Sequence, residues 1–180
     1  ATAGVLIKDA EALELLARVD TLVIDKTGTL TEGRPRLAAV KSLKVVDEGE
    51  LVRLAATLEL ASEHPLAAAV VKGAAERGIV LSKVSDFRSF TGQGVAGRVD
   101  GHEVALGNAG LLRRLGIADG ALSQASEELR AAGQTVVFVA VDGLAAGVIG
   151  LADPVKASAA AAIAALHQEG VRVIMLTGDS

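Results

Sequence analysis

The sequence has no cysteine, no tryptophan and no tyrosine, and only three phenylalanines among its 180 residues. Without cysteine the chain forms neither disulfides nor thiolate metal sites, which is typical of a cytosolic protein. With so few aromatic rings it has little to stack against successive nucleic-acid bases. Its formal net charge of -4 also disfavours a polyanionic partner. We therefore expect no nucleic-acid partner.

Long apolar runs are also missing. No stretch approaches the ~18 residues of a membrane-spanning helix, and the N-terminus does not read as a secretory signal. Hydrophobic residues nevertheless make up 51% of the sequence, which is enough for a sizeable core. We expect a globular chain that does not itself insert into a membrane. Its abrupt ends predict that it is a piece of a longer protein.

The most informative stretch is residues 25–31, Asp-Lys-Thr-Gly-Thr-Leu-Thr, which follows the apolar residues 21–24. This pattern predicts a buried parallel strand whose carboxyl end presents Asp25 in a crevice. An ionised aspartate can act as a nucleophile without a general base. Lys26 and Thr27 offer a cation and a hydroxyl to an incoming phosphate. From composition alone, a turn without any chemistry is the alternative.

These seven residues resemble the phosphorylation signature of P-type ATPases. The resemblance implies that Asp25 accepts the γ-phosphoryl group of ATP and forms an aspartyl-phosphate. It also implies a catalytic site that contains Lys26 and Thr27, and a partial Mg²⁺ site at Asp25 and Thr27. A magnesium ion there would bridge the carboxylate and the phosphate.

A second motif, Ser-Glu-His-Pro-Leu at residues 62–66, opens a predicted helix with proline in its first turn. Without knowledge of a family, His64 is simply a polar residue at a helix start. The tetrad from Glu63 to Leu66, however, resembles the signature of heavy-metal-transporting (P1B) ATPases. The resemblance implies that Glu63 and His64 lie beside the adenine of ATP. An imidazole can stack on or hydrogen-bond a purine, and a carboxylate can accept from its exocyclic amine.

Gly92, Gly94 and Gly97 match the pattern G-x-G-x-x-G, but a dinucleotide fingerprint requires a helix to open on these glycines. Residues 96–106 instead predict a hairpin with a type I′ turn. The sequence has no P-loop, and it has no H-R-D or D-F-G motif of a kinase. Gly92 and Gly94 lack side chains and so allow a flat ligand to approach the backbone, although a bulge or a turn remains the alternative.

In P1B ATPases, which the chain resembles, the Gly-x-Gly and a later Gly-Asn pair line the nucleotide pocket. Here that pair is Gly107-Asn108. Asn108 also predicts the N-cap of a short helix. The nucleotide-binding residues implied by the resemblance are Glu63, His64, Gly92, Gly94, Gly107 and Asn108.

Residues 153–156 read Asp-Pro-Val-Lys and predict a helix that is capped by Asp153 and ends near residue 169. Residues 171–176 predict a second apolar strand, which shares one crevice with the strand before Asp25. Asp-Pro-x-Lys resembles the P-type motif at the return from the nucleotide-binding insertion to the phosphorylation domain.

The sequence closes with Thr-Gly-Asp at residues 177–179, which also resembles a P-type motif. The resemblance implies that Thr177, Gly178 and Asp179 complete the catalytic site. Thr177 would donate its hydroxyl to the phosphoryl oxygens, and Asp179 would orient the lysine or magnesium contacts. The family usually continues with asparagine, where this chain has Ser180.

Together the motifs predict an α/β fold. It comprises a partial haloacid-dehalogenase-like (Rossmann-like) phosphorylation domain, interrupted by an inserted nucleotide-binding domain with an antiparallel sheet and flanking helices. The phosphorylation domain is expected at residues 1–33 and 151–180, and the insertion at residues 34–150. We expect the helix predicted at residues 9–18 to pack on the sheet that carries Asp25. A hinge is expected near Gly33 and Asp153.

The implied function is the ATP-binding and phosphorylation region of a heavy-metal P-type ATPase, a cytoplasmic domain of an integral membrane protein. Residues 8–14 resemble the copper-transporting members. The implied cofactors are ATP and Mg²⁺, and the implied partners are the transmembrane and actuator domains of the same parent chain.

The sequence lacks the family's Gly-Asp-Gly-x-Asn-Asp magnesium loop, so we expect the chain alone to bind ATP but to phosphorylate Asp25 poorly. One alternative is a soluble haloacid-dehalogenase-type phosphatase or phosphotransferase. Such enzymes commonly carry a second acid where this chain has Thr27. The other alternative is a non-catalytic nucleotide-binding module.

Overall fold

The computed structural model describes residues 9–176. Its α-helices are α1 (Ala10–Leu16), α2 (Glu48–Glu59), α3 (Pro65–Glu76), α4 (Ala109–Arg114), α5 (Ser123–Ala131) and α6 (Ala159–Gln168). Its strands are β1 (Thr21–Asp25), β2 (Arg36–Ser42), β3 (Val84–Phe90), β4 (Gly94–Val99), β5 (His102–Gly107), β6 (Thr135–Val141), β7 (Leu144–Ala152) and β8 (Arg172–Leu176). Within the described range, no helix is both long and apolar enough to cross a bilayer.

The described chain separates into two compact units. One contains the residues up to Gly33 and those from Val155 onward, and the other is Arg34–Pro154. We call them the split unit and the inserted unit. The predicted α/β fold, with one body interrupted by another, is confirmed.

In the split unit, β1 and β8 form a two-stranded parallel sheet in which Asp25 pairs with Leu176. The predicted parallel pairing of strands from the two ends of the chain is therefore confirmed. The expected burial of β1 is wrong, because Val23 is 52% exposed. The apolar side chains of β8 are similarly accessible. α6 packs against β8. This one helix supplies too little apolar surface to cover both faces of a two-stranded sheet.

The first helix also departs from expectation. α1 forms within the predicted range, but Leu13 and Leu16 on its predicted apolar face are 47% and 67% exposed. Seven residues make only two turns of helix. The predicted packing of this helix on the sheet is not found among the described residues.

The inserted unit is built on a six-stranded antiparallel sheet with the order β2-β7-β6-β5-β4-β3. The predicted hairpin of β4 and β5 is present, and β6 and β7 form a second one. Their central residues all have positive φ, at 47° and 89° for Asp100 and Gly101 and at 50° and 77° for Asp142 and Gly143. This geometry is the type I′ turn that matches the twist of paired strands.

Two hydrophobic clusters cover the two faces of this sheet. α2 and α3 supply the first cluster, and α4 and α5 supply the second. Side chains alternate between them along a strand, since Val139 belongs to the first cluster and Phe138 and Ala140 to the second. This is the period of two that a sheet buried on both faces requires.

An ionic network ties α2 to the β4–β5 turn. Arg53 donates to Glu50 Oε1 at 2.7 Å and to Asp100 Oδ2 at 2.5 Å. The hydrogen bonds from Arg53 lower the pKa of both carboxyl groups. Because these pKa values are depressed in the folded state, the network stabilises the fold above the ordinary carboxyl pKa. The stabilisation is lost as pH falls through the folded values.

The return segment differs from its prediction. The helix begins at Ala159 rather than after Asp153. Asp153 does not cap it: its Oδ1 accepts from the backbone N–H of Arg34 at 3.0 Å. Val155 forms an antiparallel bridge with Thr31. The predicted helical start is wrong because these residues find extended partners far away in the sequence.

A glycine in α3 generates the first prediction. A Cβ at Gly73 would lie 2.5 Å from Leu37 Cβ on β2. Glycine normally costs a helix about 1 kcal/mol relative to alanine, whereas overpacking costs about 1–3 kcal/mol. We expect Gly73→Ala to lower the free energy of unfolding of the inserted unit by up to about 2 kcal/mol, measured by urea denaturation.

The control for this prediction is the Leu37→Gly background, where the obstructing Cβ is gone. Gly73→Ala should there be neutral or stabilising, because only the helix propensity remains. Equal losses from Gly73→Ala in both backgrounds would show that Leu37 does not set the spacing.

Candidate nucleotide pocket and phosphorylation loop

A cavity of about 660 Å³ opens in the inserted unit. It lies among the end of α2, the start of α3 and the strands β3, β4, β5 and β6. All the residues that the sequence predicts to bind nucleotide line it, namely Glu63, His64, Gly92, Gly94, Gly107 and Asn108. The structure thus brings motifs from three separate parts of the chain together at one cavity.

The two glycines of the Gly-x-Gly motif differ in their surroundings. Gly92 has φ +68°, and a Cβ there would meet nothing within 4 Å. At Gly94, with φ +145°, a Cβ would lie 2.2 Å from Leu106 O and 2.5 Å from Gly107 Cα. Residue 94 must therefore be glycine, because the backbone of β5 leaves no room for a side chain there. Gly92 is the glycine that leaves open space for a ligand.

Asn108 joins this glycine loop to α4. Its Oδ1 accepts from Leu111 N at 3.2 Å, which confirms the predicted N-cap. Its Nδ2 donates to Gly92 O at 2.9 Å, and its backbone N–H donates to Gln93 O at 2.8 Å. Asn108 therefore shapes the cavity wall through both its side chain and its backbone.

His64 caps α3. Its Nδ1 accepts from the backbone N–H of Leu66 at 3.2 Å. An accepting Nδ1 carries no proton, so in a neutral ring the proton is on Nε2, which remains a donor. The polar position at a helix start and the predicted place at the cavity are therefore both observed for one side chain. Its neighbour Glu63 is exposed where it lines the cavity.

Glu59 is a cavity residue that sequence reasoning missed. It ends α2, lines the cavity and is only 8% exposed. Its Oε2 finds no hydrogen-bond donor among the described residues. Burial raises the pKa of Glu59, while the Ser62 hydroxyl and His64 act in the opposite direction. An acid at the end of an apolar helix, shortly before the Glu-His-Pro-Leu motif, was the available signal.

Asp25 ends β1 in an extended conformation and is exposed. The following residues, Lys26–Leu30, form a wide π-type turn. Within it, Thr27 (φ -76°, ψ 123°) and Gly28 (φ 76°, ψ -16°) have the angles of a type II turn. A positive φ at the second central residue of such a turn explains the glycine.

Two residues brace this turn. Thr31 is only 3% exposed, and its Oγ1 accepts from Gly28 N at 3.1 Å and donates to Lys26 O at 3.2 Å. Lys156 donates from Nζ to Gly28 O at 2.7 Å. The lysine of the Asp-Pro-x-Lys motif thus supports the loop that follows Asp25, a contact that the sequence did not indicate.

Thr177, Gly178 and Asp179 lie outside the described residues, and their place in the catalytic site stays a prediction. Among residues 9–176 no group of three or more histidine, cysteine or acidic side chains could hold a metal ion. Asp25 and Thr27 do supply the hard oxygen ligands that Mg²⁺ prefers. Because Mg²⁺ commonly uses one or two carboxylates together with substrate phosphates, this donor set fits a partial magnesium site.

The profile of one family, described as haloacid dehalogenase-like hydrolase, matches residues 19–180. The chain belongs to the haloacid dehalogenase-like hydrolases. A copper-transporting P-type ATPase of Rhizobium leguminosarum is 54% identical over 177 residues, which cover 98% of this chain and 21% of that protein. A silver-exporting P-type ATPase of Salmonella typhimurium is 48% identical over 180 residues, covering 100% of this chain and 22% of that protein.

Among solved structures, a zinc-transporting PIB-type ATPase in its E2.Pi state matches with a TM-score of 0.82 and 39% identity. The match covers 97% of this chain and 28% of that one. The resemblance to heavy-metal P-type ATPases within this hydrolase family is confirmed. The chain spans between a fifth and a third of the length of these relatives, at 21%, 22% and 28%.

The buried carboxyl in the cavity generates the second prediction. We expect Glu59→Gln to raise the free energy of unfolding of the inserted unit at pH 7, because a neutral amide avoids the burial penalty of the charge. The pKa of Glu59 is raised in the folded state. The wild-type penalty is therefore complete above that folded pKa and absent below the unfolded value, so the gain should vanish below about pH 4. Urea denaturation between about pH 3 and pH 8 measures both effects.

The matched control is Glu76→Gln, which changes an acid on α3 whose side chain is 62% exposed. Its effect should stay within about 0.5 kcal/mol at every pH. A loss of stability in Glu59→Gln that is present at pH 7 and disappears as pH falls would mean that the carboxylate has a donor in the folded state.

Proposed function

We propose that this chain is the ATP-binding and phosphorylation region of a copper-transporting, P1B-type P-type ATPase. The observation that carries the proposal is the single cavity lined by every residue predicted to bind nucleotide. It is supported by the strand-end carboxylate of Asp25 in the split unit and by the sequence similarity to heavy-metal ATPases.

In this proposal the adenine of ATP occupies the cavity. Oε2 of Glu59 is buried without a donor, and the exocyclic amine of adenine would provide one. Guanine has a carbonyl oxygen at the corresponding position, which a carboxylate repels. The open face of Gly92 admits a flat ring, and Nε2 of His64 is a further donor. The cavity therefore favours ATP over GTP.

The charges of the cavity wall distinguish the base from the phosphates. Among the described residues, the wall contains the acids Glu59 and Glu63 and neither lysine nor arginine. An acidic wall disfavours a triphosphate, so we place only the base and sugar there. The phosphates extend toward solvent and reach Asp25 through domain closure about the linkers near Gly33 and Asp153.

At Asp25 a carboxylate oxygen attacks the γ-phosphorus of ATP. The bond from that phosphorus to the β,γ-bridging oxygen breaks, ADP leaves, and an aspartyl-phosphate remains. Lys26 and Thr27 offer a cation and a hydroxyl to the phosphate, and Thr177, Gly178 and Asp179 complete the site. Asp25 and Thr27 would hold Mg²⁺, which would supply positive charge to neutralise the phosphate. Thr31 and Lys156 hold the turn so that Asp25 stays extended.

The whole protein would couple this phosphorylation to ion transport through its transmembrane and actuator domains. The region described here would then lie on the cytoplasmic side of the membrane. We propose copper as the ion because residues 8–14 resemble copper-transporting members. Because other relatives are named for silver and zinc, the test compares these ions. Cu⁺ should stimulate ATP hydrolysis by the whole protein. Stimulation by Zn²⁺ alone would reject copper.

The third prediction tests the cavity. We expect Gly92→Ala to weaken ATP binding to the 180-residue chain by about tenfold or more, because a methyl group would enter the space left for the ligand. In the wild type, ATP should shift the amide resonances of His64, Gly92 and Gly94. Titration calorimetry and NMR measure the two effects, and the absence of any shift at these amides would reject the adenine pocket.

Gly116→Ala is the matched control. Gly116 has φ +72° with open space around it, as Gly92 does with φ +68°, but it does not line the cavity. The two variants share a backbone strain of about 1–2 kcal/mol. Equal losses of ATP affinity in both would assign the effect to strain rather than to the cavity.

The fourth prediction concerns Asp25. With Mg-ATP the 180-residue chain should form little acid-stable phosphoprotein, because the family's magnesium loop is not in its sequence. In the whole protein, Asp25→Asn should abolish phosphorylation and leave ATP affinity within about threefold, because the carboxylate is not part of the nucleotide cavity. Radiolabelled ATP and acid precipitation measure the phosphoprotein.

Two outcomes would contradict this scheme. Abundant phosphoprotein from the 180-residue chain, lost in Asp25→Asn, would show that the site is already complete. Phosphorylation of the whole protein that survives Asp25→Asn would reject Asp25 as the acceptor.

A further inference from the structure

The glycine loop of the cavity, residues 90–94, is contacted from both ends of α4. Asn108, just before α4, holds the loop backbone at Gly92 O and Gln93 O. Arg114, the last residue of α4, contacts the side chains at either end of the loop. Its guanidinium carbon lies 5.0 Å from the centroid of the Phe90 ring, and its NH1 donates to Gln93 Oε1 at 3.5 Å.

The loop is a tight turn with few internal restraints. Gln93 N–H donates to Phe90 O at 2.9 Å and closes it. The contacts from Arg114 join the same two residues through their side chains, and therefore act in parallel with this hydrogen bond. Gly92 lies between them with its positive φ and its open face.

α4 is suited to the role of a brace. Leu111 and Leu112 are each 0% exposed and fix the helix in the second hydrophobic cluster. A helix of six residues anchored in this way holds its two ends at a constant separation. Asn108 and Arg114 therefore contact the loop from two positions whose separation is fixed.

We propose that Arg114 is a positioning residue for nucleotide binding, which holds residues 90–94 in the conformation that keeps Gly92 open to the ligand. The proposal rests on the proposed function of the cavity. Arg114 is not among the residues that line the cavity. It acts through Phe90 and Gln93, which are.

The expected effect follows from the strength of these contacts. A cation–π contact at an exposed site is modest, so its loss should loosen the loop without unfolding the unit. Apparent affinity falls in proportion to the fraction of molecules whose loop is binding-competent. We expect Arg114→Ala to weaken nucleotide binding by about two- to fivefold.

Arg113→Ala is the matched control, since it removes the same side chain one position earlier. Arg113 Nε donates to Ala109 O of its own helix at 3.4 Å. Calorimetric titration of the 180-residue chain with adenosine, ADP and ATP should show the same loss for all three ligands in Arg114→Ala. Arg113→Ala should bind like the wild type. Arg114→Lys keeps a cation near Phe90 and should recover part of the affinity.

A second measurement needs no nucleotide. Hydrogen exchange at the Gln93 amide should be faster in Arg114→Ala and unchanged in Arg113→Ala, because that amide closes the turn. The free energy of unfolding of the inserted unit, measured in urea, should be the same in both variants within about 0.5 kcal/mol.

The outcomes separate the two proposals. If the wild type binds adenosine and ATP but Arg114→Ala binds them equally well, the positioning role is overturned and the cavity assignment stands. A loss that grows from adenosine to ATP would replace positioning by a direct phosphate contact. If the wild type binds none of the ligands, the proposed function fails. Unchanged exchange at Gln93 would then reject the bracing of the loop independently.

Discussion

The cavity depends on one close approach between backbones. β4 and β5 come together at Gly94 and Gly107 so tightly that a Cβ on Gly94 would lie 2.2 Å from Leu106 O, and one on Gly107 would lie 2.3 Å from Gln93 O. Because both positions are glycines, the two strands can approach this closely, and the loop before β4 lies next to the start of α4. Asn108 can then reach Gly92 O. The open face of Gly92 is a consequence of this approach.

The second constraint is the buried acid Glu59 in the cavity wall. Moving the Glu59 carboxylate out of water lowers the stability of the fold, because its Oε2 is buried with no hydrogen-bond donor among the described residues. Such a group weakens the empty unit and becomes favourable only when a donor enters the cavity. This is the usual conflict between stability and ligand binding at functional sites. It explains why α2, which supplies more residues to the first cluster than α3 does, ends in a buried acid.

The sequence predicted those features that depend on neighbours in the chain. The type I′ turn at Asp100 and the cap at Asn108 are set by local residues, and each was predicted correctly. Family resemblance added which of these residues meet at the cavity. Features set by distant partners were not accessible. Asp153 was misread as a cap because its partner, the Arg34 amide, is more than a hundred residues away. Glu59 likewise lies at a cavity whose other walls come from distant parts of the chain, among them β3, β5 and β6.

The segments that join the two units are each fixed on their own side. In the inserted unit Asp153 holds the amide of Arg34. In the split unit Val155 bridges to Thr31, and Lys156 N–H donates to Leu30 O at 2.9 Å. The chain crosses between the units after Gly33 and after Pro154. A hinge near these crossings stays a prediction. The loop after Asp25, which Thr31 and Lys156 brace, belongs wholly to the split unit and would move with that unit.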